Sequence, residues 1–256
     1  MIANYHTHTW RCNHATGHER QYVENALKAG LKILGFADHT PYPFPDGYQS
    51  GFRMMPEQLK GYVDTVLALR AEYTGKIEIP LGLETEYYPK HFGELLELLR
   101  EQPMDYMILG QHFVGNEYDA PYNGLASRDE SLLKQYVFQS CDAMNSGFFT
   151  YFAHPDLIHF TGEEKEFRRQ MRTICLEAKS CGIPLEFNLL GLAGGRHYPT
   201  RAFWELVAED GCDVILGRDA HSPEALLDDK TEQRALEILK PLGITPIETV
   251  QLRPIG

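Results

Sequence analysis

The sequence predicts a (β/α)7 barrel of parallel strands with a metal site at its C-terminal mouth, and three observations carry that expectation. Seven short apolar runs alternate with seven longer amphipathic stretches, as repeated βα units around a parallel sheet require. Nine side chains suited to holding metal sit at the ends of those runs: His6 and His8, His39, Glu84, His112, His154, and Asp219 with His221, while His14 lies just past the first. The length of 256 residues suits one barrel of this kind, which commonly takes about 250. A (β/α)8 barrel is the neighbouring alternative, because strand counts read from apolar runs miss by one.

In chain order the strand-like runs are IANYHTH, KILGFADH, IEIPLGLETEY, DYMILGQHF, FTYFAHPD, PLEFNLLG and DVILGRDAH. The helical stretches between them cover residues 19–30, 56–73, 91–102, 129–145, 163–181 and 200–211, and residues 223–239 close the cycle. In the second of these, Leu59, Tyr62, Val63, Val66, Leu67 and Leu69 largely follow helical spacing. No composition shift marks a boundary, so residues 1–256 are expected to form a single domain. The longest irregular stretches, residues 40–55 and 115–128, both follow the C-terminal ends of strands. Barrels of this kind place active sites on that face, and long loops there serve as lids or specificity elements.

A formal charge of −12 argues against a nucleic-acid partner, since binding a phosphate backbone needs clustered Lys and Arg. No apolar run approaches the roughly 18 residues of a membrane span. Five cysteines, an odd number without a C-x-x-C pair, suit free thiols in a reducing interior. Cys12, close to the first histidines, is read as a bystander. The amino-terminal segment leads directly into a strand without a basic segment and apolar core, so a cytoplasmic enzyme is expected.

His6 and His8 are two apart on a strand, so both imidazoles point to one face and reach one ion. Glu84 ends the third run, and a carboxylate bridges two ions as imidazole cannot easily do. Glu86, two residues on, competes for that role, but Glu84 sits at the apolar-to-polar boundary of the strand. His112 and His154 follow apolar runs in equivalent positions, with Pro155 stopping the strand. His14, His39 and His221 make a group of three imidazoles, and Asp219 and His221 are again two apart. Asp38 faces away from His39 on a regular strand and reads as a hydrogen-bond acceptor behind the ligands. Nine ligands are too many for one ion and fit three. A carboxylate-bridged pair generates a strong nucleophile at neutral pH and a third ion neutralises anionic oxygens, an assembly suited to a phosphate ester. Zinc, manganese and iron all accept this donor set.

The segments HTHTWRCNHATG, GFADHTPYP, FRMMPEQLKGYV, LGLETEY, DYMILGQHFV, FAHPDL and GRDAHSP, in this order, resemble the polymerase and histidinol phosphatase (PHP) family, in particular its monofunctional histidinol-phosphatase branch. The resemblance covers residue 4 to about 225. It implies a distorted (β/α)7 barrel with three divalent metals, and hydrolysis of L-histidinol phosphate, a step of histidine biosynthesis, by in-line attack of a metal-bridging hydroxide. It further implies that His6, His8, Glu84 and Asp219 hold one ion, Glu84, His112 and His154 a second, and His14, His39 and His221 a third. The leaving alkoxide would take its proton from water or a metal-site acid, with Asp219 or His221 nearest. The chain departs from the family pattern at Arg218, where relatives usually carry serine in G-S-D-A-H, and at residues 188–191, where they tend to carry a small polar pair.

For the substrate phosphate, Arg196 in GLAGGRHYP is the first choice, because guanidinium matches phosphate oxygens bidentately. Arg53 and Arg218 are weaker choices of the same kind, and His91, His159 and His197 stay outside the metal set. The expected partner is a small phosphorylated substrate. Two alternatives stand beside this reading: a phosphoesterase acting on a sugar phosphate or nucleotide, and an amidohydrolase-type C–N hydrolase. The latter barrels typically carry a lysine where this chain has Glu84.

Overall fold

The computed structural model describes residues 1–44 and 47–255. Its strands are β1 (Ala3–Asn4), β2 (Ile33–Leu34), β3 (Phe36–His39), β4 (Leu81–Thr85), β5 (Tyr106–Leu109), β6 (Phe149–Phe152), β7 (Leu185–Asn188) and β8 (Val214–Gly217). The helices are α1 (Glu19–Lys28), α2 (Leu59–Glu72), α3 (Phe92–Arg100), α4 (Glu130–Asn145), α5 (Glu164–Cys181), α6 (Leu189–Ala193), α7 (Arg201–Asp210) and α8 (Asp229–Leu239). β3 to β8 form a six-stranded parallel sheet in sequential order, while β1 pairs in parallel with β2 in a separate two-stranded sheet. The second predicted run is thus broken at Gly35 into β2 and β3.

The amino-terminal segment closes the curved sheet. Ala37 N–H donates to the Thr7 carbonyl at 2.9 Å, and a parallel bridge joins Thr7 to Ala220, just past β8. That makes seven parallel segments in a ring, the distorted (β/α)7 arrangement expected. The distortion has a location: between β5 and β6 the register shifts, and β6 meets β7 through the single pair Phe152 and Leu185.

Strand residues alternate between two apolar layers. Ala3, Tyr5, Ala37, Tyr106, Ile108, Tyr151, Ala153 and Ile215 fill the barrel interior. Leu81, Leu83, Met107, Leu109, Phe149, Leu185, Phe187, Val214 and Leu216 pack outward against the helices. Helix α5 buries Phe167, Met171, Ile174, Cys175 and Ala178, one face at helical spacing. Burying each of Phe167, Met171 and Ile174 contributes about 1.5–3 kcal/mol. With both faces of the strands covered, most polar side chains find room toward the strand ends, where the candidate ligands lie. No helix among the described residues is long and apolar enough to cross a membrane.

Candidate metal centre

All nine residues singled out in the sequence converge at the C-terminal ends of the strands. Glu84 is central: its carboxylate lies 3.6 Å from His6 Nε2, 3.6 Å from His8 Nε2, 2.9 Å from His39 Nδ1, 3.5 Å from His112 Nε2 and 2.7 Å from His154 Nε2. Asp219 Oδ1 stands 3.4 Å from His6 Nε2 and 3.1 Å from His8 Nε2. His14, exposed at the rim, brings its Nε2 to 3.0 Å from His221 Nε2. Two glycines make room for this crowding, since a Cβ at Gly110 would overlap the Glu84 carboxylate and one at Gly217 would overlap that of Glu186. His154 and Asp219 are held with φ of 33° and 48°. Such backbone costs about 1–3 kcal/mol and persists only where the surroundings enforce it.

The outward nitrogens fix the ring tautomers. Nδ1 of His6 donates to Glu186 Oε2 at 2.9 Å, that of His112 to Glu86 Oε1 at 2.7 Å, that of His14 to the Cys12 carbonyl at 2.7 Å, and that of His221 to the Asp219 carbonyl at 2.9 Å. Each of these rings then presents a bare Nε2 lone pair inward. Between His14 and His221 the two Nε2 atoms face each other at 3.0 Å, a spacing that a shared proton or a metal cation between them would satisfy. Nε2 of His6, both ring nitrogens of His8, Nδ1 of His39 and Oε2 of Glu84 are buried with no hydrogen-bond partner. Donor atoms around an ion at 2.0–2.1 Å, octahedral or tetrahedral, lie about 2.8–3.4 Å apart, close to the spacings observed. The residues therefore fit a polynuclear centre of nitrogen and oxygen donors. His14, His39 and His221 form one group able to hold an ion, His6, His8 and Asp219 another, and His6, Glu84 and His154 a third.

Electrostatics agree with the geometry. Burial alone would raise the Glu84 carboxyl, but His112, His39, His6 and His154 outweigh it and hold the group well below the usual carboxylate range. Asp219 is likewise depressed, against its burial, by His6, His221 and His8. Burial works against a charged His6, yet Glu186, Asp219 and Glu84 raise it to about 10, so that without a metal a proton occupies the Nε2 position that a cation would take. His39 goes the other way, pushed well below its ordinary value by burial.

Behind the ligands runs a layer that the sequence disclosed only in part. Asp38 does face away from His39, accepting from Thr9 N–H at 3.2 Å and lying 3.5 Å from His8 Nδ1. Glu86 supports His112 as an acceptor. Glu186 of β7 was missed, although an acid inside the apolar run PLEFNLLG was its signal. Asn188 was read only as a rim difference, whereas its amide donates to Glu186 at 2.7 Å and to Asp219 Oδ2 at 3.1 Å. Cys12 Sγ lies within 4.8 Å of donor atoms of His8 and His221.

The centre opens into a cavity of about 460 Å³ walled by Phe52, Phe113, Tyr122, Leu190, Arg196 and Tyr198. Arg196 is there as expected, donating to the Tyr198 hydroxyl at 2.6 Å. Two expectations need correction. Arg53 is buried away from the cavity, donating to Glu117 at 2.9 Å and the Thr40 carbonyl at 2.8 Å and pairing with Glu86 at 3.0 Å. Arg218 is buried on another side, bound to Glu232 at 2.6 Å and the Asp228 carbonyl at 2.8 Å. Neither guanidinium lines this cavity. From residues 40–55 the wall receives Phe52, while Pro45 and Asp46, within the same stretch, lie outside the described residues. His159 and His197 stack on each other at 4.1 Å, and His91 bonds the Tyr118 hydroxyl at 3.1 Å, so all three stay outside the metal cluster.

A parallel barrel with a cluster of histidines and carboxylates able to hold metal at its mouth defines a metal-dependent hydrolase of the PHP class. The PHP domain model matches residues 4–189, and the chain belongs to that family. It is 32% identical over 232 residues to a probable histidinol-phosphatase of Deinococcus radiodurans, covering 87% of each chain. It is 27% identical to the histidinol-phosphatase of Bacillus subtilis, over 84% of this chain and 92% of that one. Its fold matches the crystal structure of histidinol phosphate phosphatase from Lactococcus lactis, complexed with zinc, L-histidinol and phosphate, with a TM-score of 0.75 at 21% identity, covering 97% and 96% of the two chains.

Proposed function

We infer that this chain is a metal-dependent phosphomonoesterase that hydrolyses L-histidinol phosphate to L-histidinol and inorganic phosphate. The observation that carries the chemistry is the set of inward lone pairs crowded around Glu84 and Asp219 beside a single arginine. Similarity to the histidinol-phosphatases supports the substrate. We propose that His6, His8, Glu84 and Asp219 hold one divalent cation, Glu84, His112 and His154 a second, and His14, His39 and His221 a third, the metals being zinc, manganese or iron. Such cations, when bound, supply Lewis acidity and a water made acidic near neutral pH.

The protein's own groups do the rest. Arg196, held by Tyr198, pairs with the phosphate oxygens and fixes the ester for in-line displacement. Of the two groups nearest the leaving oxygen, His221 has both nitrogens engaged, Nδ1 by the Asp219 carbonyl and Nε2 toward His14. Oδ2 of Asp219, an ionised carboxylate steadied by Asn188, would accept the proton released by the attacking water and pass it to the alkoxide. The aromatic wall excludes water from the ester and gives a flat apolar surface for an imidazole. The C–N hydrolase alternative gains nothing here, because Glu84 rather than a lysine occupies the centre.

The test is a substrate panel on metal-reconstituted protein. L-histidinol phosphate is expected to exceed p-nitrophenyl phosphate, sugar phosphates and nucleotides by about 100-fold in kcat/KM; a preference for a sugar phosphate or nucleotide overturns the substrate and leaves the chemistry. Arg196→Gln is expected to raise KM for L-histidinol phosphate about 10- to 100-fold, the worth of a charge-assisted pair. An unchanged KM would remove Arg196 from the phosphate site.

A further inference from the structure

A second cavity, of about 560 Å³, lies behind the Arg196–Tyr198 wall, between α6, α7 and α8. Its volume is in the range of small-molecule sites. Phe187, Leu192, Trp204 and Ile238 give it an apolar lining, and Arg196, Arg201 and Arg234 supply three guanidiniums. No Asp or Glu lines it among the described residues, in a chain whose net charge is −12. Arg201 is paired outward with Glu205 at 2.8 Å. Arg234 reaches only the Leu192 carbonyl, at 3.5 Å, with no carboxylate partner among the described residues.

We propose that this cavity binds a small anion with an apolar body, a simple aromatic or aliphatic carboxylate, and that its occupancy is felt at the metal centre through Arg196. The apolar wall takes the body and Arg234 takes the charge. A zwitterionic amino acid does not fit, because its ammonium group would meet guanidiniums and no acid. Arg196 and Tyr198 line both cavities, so a carboxylate drawing Arg196 toward α8 takes it from the substrate side. This coupling rests on Arg196 contacting the substrate phosphate; the binding itself does not.

The probe is phenylacetate, with phenylacetamide as its neutral twin. The chain has two tryptophans, Trp10 and Trp204, so Trp10→Phe leaves Trp204, on the cavity wall, as the only reporter. With inorganic phosphate filling the catalytic cavity, phenylacetate is expected to change Trp204 emission with a Kd on the order of 1 mM. Phenylacetamide and the additional Arg234→Gln variant are each expected to weaken binding about tenfold, the loss of one charge-assisted pair. Arg234→Lys should recover part of it, and Arg234→Gln should leave kcat and KM unchanged without probe. Equal binding of acid and amide, equal binding to Arg234→Gln, or no response of Trp204 overturns the site. Binding that leaves KM unchanged while Arg196→Gln raises KM overturns the coupling alone; if Arg196→Gln also leaves KM unchanged, the fault lies in the phosphate assignment.

Discussion

Asp219→Asn is expected to lose more than about 100-fold in kcat, because removing even an outer partner of a metal ligand typically costs 10- to 100-fold. The substitution is chosen for what it preserves. Asparagine has the same size and is among the few residues that tolerate a left-handed backbone, and Asp219 has a φ of 48°. It also keeps an oxygen to accept from the Asn188 amide. What it removes is the negative charge facing Nε2 of His6 and of His8 at 3.4 and 3.1 Å, together with the proton carrier at Oδ2. Circular dichroism and a melting curve close to those of the parent, with phosphate release near background, are the expected results. A fully active variant would take both roles away from Asp219.

The proposed ligands were legible because their chemistry and placement coincide. His6, His39, Glu84, His112, His154 and Asp219 each stand where an apolar run turns polar, and parallel connections bring all such ends to one face. The supporting layer was less legible because it depends on partners remote in sequence. Glu186 serves His6 across 180 residues, and Asn188 serves Asp219 across 31. Arg53 and Arg218 misled for the same reason. Sequence shows that an arginine follows a strand, but not that Glu117, 64 residues away, or Glu232 has already taken its donors. Arg196 differed in that, among the described residues, it forms no ion pair and bonds only the Tyr198 hydroxyl. The break at Gly35 was invisible because KILGFADH reads as one continuous apolar run, and its division follows from β1 pairing with its first half and β4 with its second.

Removing the metals with a chelator is expected to abolish phosphate release and to lower the melting temperature markedly. Without cations the centre must take up protons or leave buried donor atoms of His6, His8, His39 and Glu84 without partners. Each ion held at 100 times its Kd stabilises the fold by about 2.7 kcal/mol, which for a chain of this size corresponds to several degrees. Three such sites give a drop of at least about 10 °C in Tm on chelation. Restoring zinc or manganese should return both activity and Tm, and elemental analysis of the active protein should approach three ions per chain. The two readouts separate the roles of the sites: loss of activity with a small change in Tm would mean that fewer ions are held tightly than the donors suggest. Full activity of protein stripped of metal would overturn the proposed centre and point to a side-chain nucleophile instead, although no Ser, Thr, Cys or Lys lines the cavity among the described residues.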